Sequence, residues 1–276
     1  MMSARFYNSL IKPIRDRRIN DLIKEVNHSL MSPWDKELNF SERLQPISKF
    51  KDLLIDWAGG YLSGLGDFPH WYVVNGNTEY LNHIIGFGKG TVGWKSGDYS
   101  YYPHIAQTMR RSFKSLDSPS QIDELITSWP GYLNGDSTEL DFSVLCTVEK
   151  RHLDVAYLGL TPPIKVDLSP FSTVGISLSK SLAIPFNRVA MVFSREEIPT
   201  LSMMNRIGYI NLSGVNLASH LLANIEPGYL WNTYHHAYQE VMESNGLRST
   251  NCILVAYDQK GNRIGTAPFM RNIVDV

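Results

Sequence analysis

Between His70 and Phe193, short apolar runs alternate with segments whose apolar residues recur at helical spacing, and few folds accommodate that pattern. His70-Trp71-Tyr72-Val73-Val74 reads as a strand ending at the Asn75-Gly76 turn, and Leu81, Ile84 and Ile85 mark a helix after it. Asp98 to Tyr102 is expected as a second strand leading into a helix near 104–115. Asp123 to Ser128 is expected as a third, stopped by Trp129-Pro130-Gly131. A helix is expected over 137–149, followed by strands at Leu153–Leu158, Thr173–Leu178 and Arg188–Phe193. Strands alternating with helices give an α/β layer around a mainly parallel sheet.

The flanks read differently. Residues 1–50 form a helical arm with polar breaks at Ser32-Pro33 and Asn39-Phe40-Ser41. Ile47, Phe50, Leu53, Leu54, Trp57 and Tyr61 then mark a stronger helix over about 45–62. After Ser194, residues 196–206 and 211–245 look helical. Asn251–Tyr257 and Asn262–Thr266 form a hairpin across Asp258-Gln259-Lys260-Gly261. The expectation is a large domain over 45–195, with 1–44 and 196–276 joining as a helical arm and a reduced small α+β domain. A chain of 276 residues can bury a core of that size.

Charge and cysteine content narrow the function. Lys and Arg number 26 against 27 Asp and Glu, a net charge of −1. That balance predicts no general affinity for nucleic acid or for an anionic membrane, and leaves room for a local cationic pocket. Only two cysteines occur, Cys146 and Cys252, too few and too far apart for a disulfide framework. The start, MMSARFYNSLIKPIRDRRIN, lacks the long apolar run of a signal peptide, and no stretch approaches the roughly 20 apolar residues of a membrane helix. A soluble, cytoplasmic protein is expected.

The segment Ser177-Leu178-Ser179-Lys180-Ser181-Leu182-Ala183-Ile184-Pro185-Phe186-Asn187-Arg188 carries the chemistry. A lysine follows an apolar strand, hydroxyl side chains surround it, and an arginine lies eight positions on. By itself a lysine at a strand end is usually a solvated charge. Near a second cation, however, its neutral, nucleophilic form is favoured, and a guanidinium presents the fork of donors that suits phosphate oxygens.

This segment resembles the pyridoxal 5′-phosphate (PLP) segment of the class I/II aminotransferases, which are fold-type I PLP enzymes. The resemblance implies that Lys180 carries the cofactor as a Schiff base and that Ser177 and Arg188 hold its phosphate. Three further segments resemble the same family in the same order. Asp154-Val155-Ala156-Tyr157 is similar to its Asp-x-Ala-Tyr element, implying that Asp154 pairs with the pyridine nitrogen and Tyr157 with the ring hydroxyl. Gly76-Asn77-Thr78-Glu79 is similar to its Gly-Ser-Thr-Glu turn, where a helix N-terminus receives phosphate; Gly76, Asn77 and Thr78 are then phosphate ligands. An ordinary N-capping turn is an equally compatible description of those residues. Gly97-Asp98-Tyr99-Ser100-Tyr101-Tyr102-Pro103 is similar to its Gly-Asp strand, implying that Tyr102 stacks on the ring. The four segments lie within residues 45–195. The family implies a homodimer, an amine or amino-acid substrate, and a lysine that moves a proton at the substrate α-carbon. Transamination leads. Decarboxylation or elimination, and a non-catalytic protein that keeps the fold, are the alternatives.

The sequence departs from the family in two places. Trp129 stands where an asparagine normally meets the ring hydroxyl. The C-terminal arginine that clamps a substrate carboxylate has no matching motif: Arg271 is the late candidate, with Arg248 and Arg263 before it. Other patterns give way. Ser177-Leu178-Ser179-Lys180 fits the Ser-x-x-Lys of β-lactamases, but the downstream Ser-Asp-Asn and Lys-Thr-Gly partners are missing. Gly86-Phe87-Gly88-Lys89-Gly90-Thr91 lacks Gly-Lys-Ser/Thr and follows a helix rather than a strand. His235-His236 are adjacent and cannot share a helical face, so no metal site is expected.

Overall fold

Seven strands make the central sheet: β2 (His70–Val74), β3 (Val92–Trp94), β4 (Phe113–Ser115), β5 (Glu124–Ser128), β6 (Lys150–Val155), β8 (Thr173–Ser177) and β9 (Ala190–Ser194). Two further strands, β1 (Leu62–Ser63) and β7 (Val166–Asp167), pair with each other in parallel beside it. The computed structural model describes residues 11–29, 40–96, 98–116, 122–131 and 148–274. The spatial order of the large sheet is β2-β9-β8-β6-β5-β3-β4. Every pairing is parallel except those of β9, which runs antiparallel to both β2 and β8. All five residues of β5, β8 and β9 are buried, which is why their centres are apolar and polar residues stand only toward their ends. The expected α/β layer around a mainly parallel sheet is present.

Helices cover the sheet. In chain order they are α1 (Arg17–Ser29), α2 (Phe40–Ala58), α3 (Asn77–Phe87), α4 (Tyr101–Thr108), α5 (Pro199–Arg206), α6 (Leu212–Asn224) and α7 (Tyr229–Ser244). A single buried cluster runs from Ile11 and Ile14 through Val155 and Ile176 to Leu254 and Val274. Both ends of the described chain therefore pack against the sheet layer. The C-terminal hairpin forms as β11 (Val255–Tyr257) and β12 (Arg263–Gly265), with β10 (Arg248–Ser249) added at the edge. No helix among the described residues is long and apolar enough to cross a membrane.

Several expectations need correction. Tyr101 and Tyr102 open the helix Tyr101–Thr108 rather than ending a strand, because Tyr102, Ile105 and Ala106 bury one face at positions i, i+3 and i+4. The strand of that region is Val92–Trp94, and Phe113–Ser115 is a strand rather than the end of a helix. The helix expected over 211–245 is two helices, divided at Pro227-Gly228, where Gly228 takes φ +75°. The helix expected over 137–149 and Cys146 lie outside the described residues up to 147, and the polar break at Ser32-Pro33 does too.

Candidate active site

The register of the sheet places the chemical residues side by side. Ser128 is opposite Asp154, Asp154 opposite Gly175, Ser177 opposite Ala190, and Ala190 opposite Val74. The carboxyl ends of β2, β5, β6 and β8 thus share one edge, where open α/β sheets bind ligands. The antiparallel β9 starts at that edge, so the loop between β8 and β9 carries both Lys180 and Arg188. A cavity of about 840 Å³ opens there, lined by Asn77, Thr78, Asp154, Tyr157, Ser177, Lys180 and Arg188 among others.

Lys180 is largely buried. Its Nζ donates to the backbone carbonyl of Ile11 at 2.7 Å and lies 5.5 Å from the Tyr157 ring centroid. Burial lowers its pKa to about 8; Cys252 and Asp154 act the other way, while Arg188 and Arg263 reinforce the drop. Asp154 is buried at the end of β6 and accepts from Asn77 Nδ2 at 2.5 Å and from the Tyr102 hydroxyl at 3.0 Å. Burial raises its pKa to about 6 against those two hydrogen bonds. The carboxylate has acceptor capacity left on the cavity side.

The turn at Gly76 forms a cup. Glu79 reaches back to Asn75, accepting from its backbone N–H at 2.6 Å and its Nδ2 at 2.9 Å, which fixes the entry to α3. Gly76 caps the helix at φ +83°, and a Cβ there would lie 2.5 Å from Arg188 Nη2. Arg188 Nη2 also donates to Thr78 Oγ1 at 3.3 Å. Arg188 itself has φ +40°, a strained left-handed conformation that delivers the guanidinium to this turn. Ser177 donates to Ser179 Oγ at 3.1 Å on the neighbouring wall. Guanidinium, hydroxyls and the first N–H groups of α3 therefore surround one spot, a set of donors suited to a phosphate.

Eight of the nine residues singled out from the sequence meet at this edge, seven of them in the cavity wall and Gly76 directly behind Arg188. Tyr102 does not line the cavity: it is buried beneath, with its hydroxyl on Asp154, because it lies in the first turn of α4 rather than at a strand end. Tyr99 lines the wall instead. The Asn77 side chain also turns inward, donating to Asp154 and to the Gly175 carbonyl at 2.9 Å, so its cavity-side contribution is backbone. Trp129 is buried and away from the wall, whereas Ser128 lines it, held by its hydroxyl on Asp98 and by its backbone N–H, 3.0 Å from that carboxylate. Arg271 lines the cavity; Arg248 lies over the Tyr257 ring instead. Sequence reasoning missed Ser128, Ser179, Tyr99 and Arg15, all of which reach the cavity. The cations set among apolar residues in Ile11-Lys12-Pro13-Ile14-Arg15 were the available signal.

No family model matches the chain, and no curated protein sequence matches it. Solved structures do share its architecture. An aminotransferase from Staphylococcus aureus superposes with a TM-score of 0.63 at 12% identity, over 97% of this chain and 91% of that one. A protein described as a probable N-succinyldiaminopimelate aminotransferase from Thermus thermophilus gives 0.61 at 13% identity, over 90% and 77%. The L-threonine-O-3-phosphate decarboxylase of Porphyromonas gingivalis gives 0.56 at 12% identity, over 92% and 82%. At these identities the likeness is one of fold, and the chain has the aminotransferase-like α/β fold.

Proposed function

We propose that the protein is a PLP-dependent enzyme of the aminotransferase type, acting on an amino-bearing substrate. The observation that carries this reading is the meeting, at one cavity edge, of a buried lysine, a buried carboxylate and a phosphate-sized cup. The fit is specific in one respect: a side chain at position 76 would collide with the Arg188 guanidinium, and glycine lets that guanidinium close the cup.

Each residue has a task in this reading. Gly76, Thr78, Ser177 and Arg188, with the backbone of Asn77, hold the phosphate. Asp154, ionised above about pH 6, faces the pyridine nitrogen and keeps it protonated. Asn77 and Tyr102 fix the carboxylate from behind. Bound in this way, PLP supplies an electron sink for the carbanion formed at the substrate α-carbon. Lys180 is the amine to which the cofactor attaches, and afterwards the base that moves the α-proton. With a pKa of about 8, roughly a tenth of Lys180 is neutral at pH 7, far more than an ordinary lysine offers. Tyr157 on the cavity wall would meet the ring oxygen, and Arg271 would meet a substrate carboxylate. The proposal includes the division into 45–195 and the flanking 1–44 and 196–276, and a homodimer.

Product analysis tests the reaction. The protein is supplied with PLP, a panel of amino acids and 2-oxoglutarate. Formation of a new 2-oxo acid together with glutamate is expected. Release of carbon dioxide and an amine instead would move the assignment to a decarboxylase. Retention of PLP with no product from any donor would leave a binding protein.

A further inference from the structure

Besides the groups assigned to the cofactor, the cavity wall carries three cations, Lys12, Arg15 and Arg271. Among the described residues, none of the three has a hydrogen-bond or ion-pair partner. The only acid in the wall, among the described residues, is Asp154, which already holds Asn77 and Tyr102. In the reading above, Arg188 answers the cofactor phosphate and Arg271 answers one carboxylate. Among the described residues, Lys12 and Arg15 remain as uncompensated positive charge facing the same space.

These two residues do not ride on a loose tail. Ile11 and Ile14 are buried in the core on either side of Lys12, and the Ile11 carbonyl accepts from Lys180. Asp16, next to Arg15, is 1% exposed and accepts from the Tyr234 hydroxyl at 2.5 Å, the Tyr229 hydroxyl at 3.3 Å and the Ile19 N–H at 2.8 Å. The segment 11–16 is thus anchored at both ends, to the candidate catalytic lysine and to α7, with its two cations left facing the cavity. A cleft lined by one sign of charge concentrates the opposite sign, and a guanidinium binds carboxylate or phosphate oxygens through paired donors.

We propose that Lys12 and Arg15 form a second anion subsite, so that the preferred substrate carries a carboxylate or phosphate beyond the group met by Arg271. The inference rests on the PLP reading for the cofactor's share of the charge, but anion binding can be measured without turnover. Calorimetry on protein incubated with PLP compares butyrate, glutarate and phosphoglycolate. Glutarate or phosphoglycolate, or both, is expected to bind about tenfold tighter than butyrate. Whichever dianion gains more identifies the tail as carboxylate or phosphate. Arg15→Gln is expected to remove most of that preference and Lys12→Gln part of it, both with unchanged melting temperature because these side chains are exposed. Arg271→Gln is expected to weaken all three ligands. Equal affinity for butyrate and both dianions, or a preference that survives Arg15→Gln combined with Lys12→Gln, overturns the subsite. A preference that depends on Arg15 in protein that retains no PLP would sink the cofactor assignment and leave the subsite standing.

Discussion

Gly76 concentrates the demands of the site in one residue. Its φ of +83° suits glycine, and the space beside its Cα is already filled by the Arg188 guanidinium. Gly76→Ala is expected to displace Arg188 and weaken PLP binding about tenfold or more, the loss of a charge-assisted contact, as a fluorescence titration with PLP would register. Unchanged affinity would remove this turn from the cofactor site. Asp154 gives a prediction with a fixed sign. Its pKa rises on folding from 3.8 to about 6, so the folded state binds more protons than the unfolded state between those values. The buried charge therefore costs stability above about pH 6, and the cost fades as pH falls toward 4. Asp154→Asn should gain on the wild-type apoprotein by up to about 3 kcal/mol as pH rises from 4 to 7, read from urea unfolding, while losing activity. A stability difference independent of pH would contradict the buried, ionised carboxylate.

At the scale of elements, α3 is fixed at both ends. Its N-terminus is the cup. Its C-terminus is held by Arg111, which donates to the carbonyls of Ile84 at 2.8 Å and Ile85 at 3.0 Å and pairs with Glu124 at 2.8 Å. Burial opposes ionisation of Glu124, but His152 and Arg111 outweigh it and hold its pKa down to about 2. A lowered carboxylate pKa contributes stability above the unfolded value near 4.5, lost as pH falls through about 2. Arg111→Ala leaves that buried carboxylate with His152 still beside it and should cost up to about 3 kcal/mol near neutral pH. The deficit should shrink in acid, which thermal unfolding at pH 7 and pH 3 would reveal; an equal deficit at both would refute the pairing.

Element by element, the legible parts were those where one physical signal dominated. The strands at 70–74, 124–128 and 173–177 announced themselves because each carries a short apolar centre bounded by turn or polar residues. Val92–Trp94 and Phe113–Ser115 did not, being three residues long, with Gly93 and Lys114 at their centres. Tyr101 and Tyr102 favour strands by residue type, and the helical spacing of Tyr102, Ile105 and Ala106 overrode that preference.

At the scale of the whole molecule, the site is assembled from distant parts of the chain. Lys180, Asp154, the Gly76 turn and Arg188 were legible in three of the four motif segments, since chemistry restricts their residue types. Other parts of the wall come from residues 11–15 and from 267–274, whose nearness to the sheet edge is a product of folding alone. The Ile11 carbonyl that holds Lys180 is a backbone atom, and no side-chain pattern could have revealed it. The proposed homodimer predicts a sedimenting mass twice the 31.3 kDa of the chain. Phe186, 88% exposed at the cavity rim, is the residue where Phe186→Asp should shift that mass toward the monomer. A monomer in the wild type would exclude the arrangement.

The central claim is that Lys180 carries PLP, and the most direct measurement is borohydride reduction of the protein incubated with PLP, followed by mass mapping of its peptides. The account predicts one reduced PLP adduct, on the peptide containing Lys180, and none in Lys180→Ala. An adduct on another lysine, or no adduct in the wild type, would contradict it.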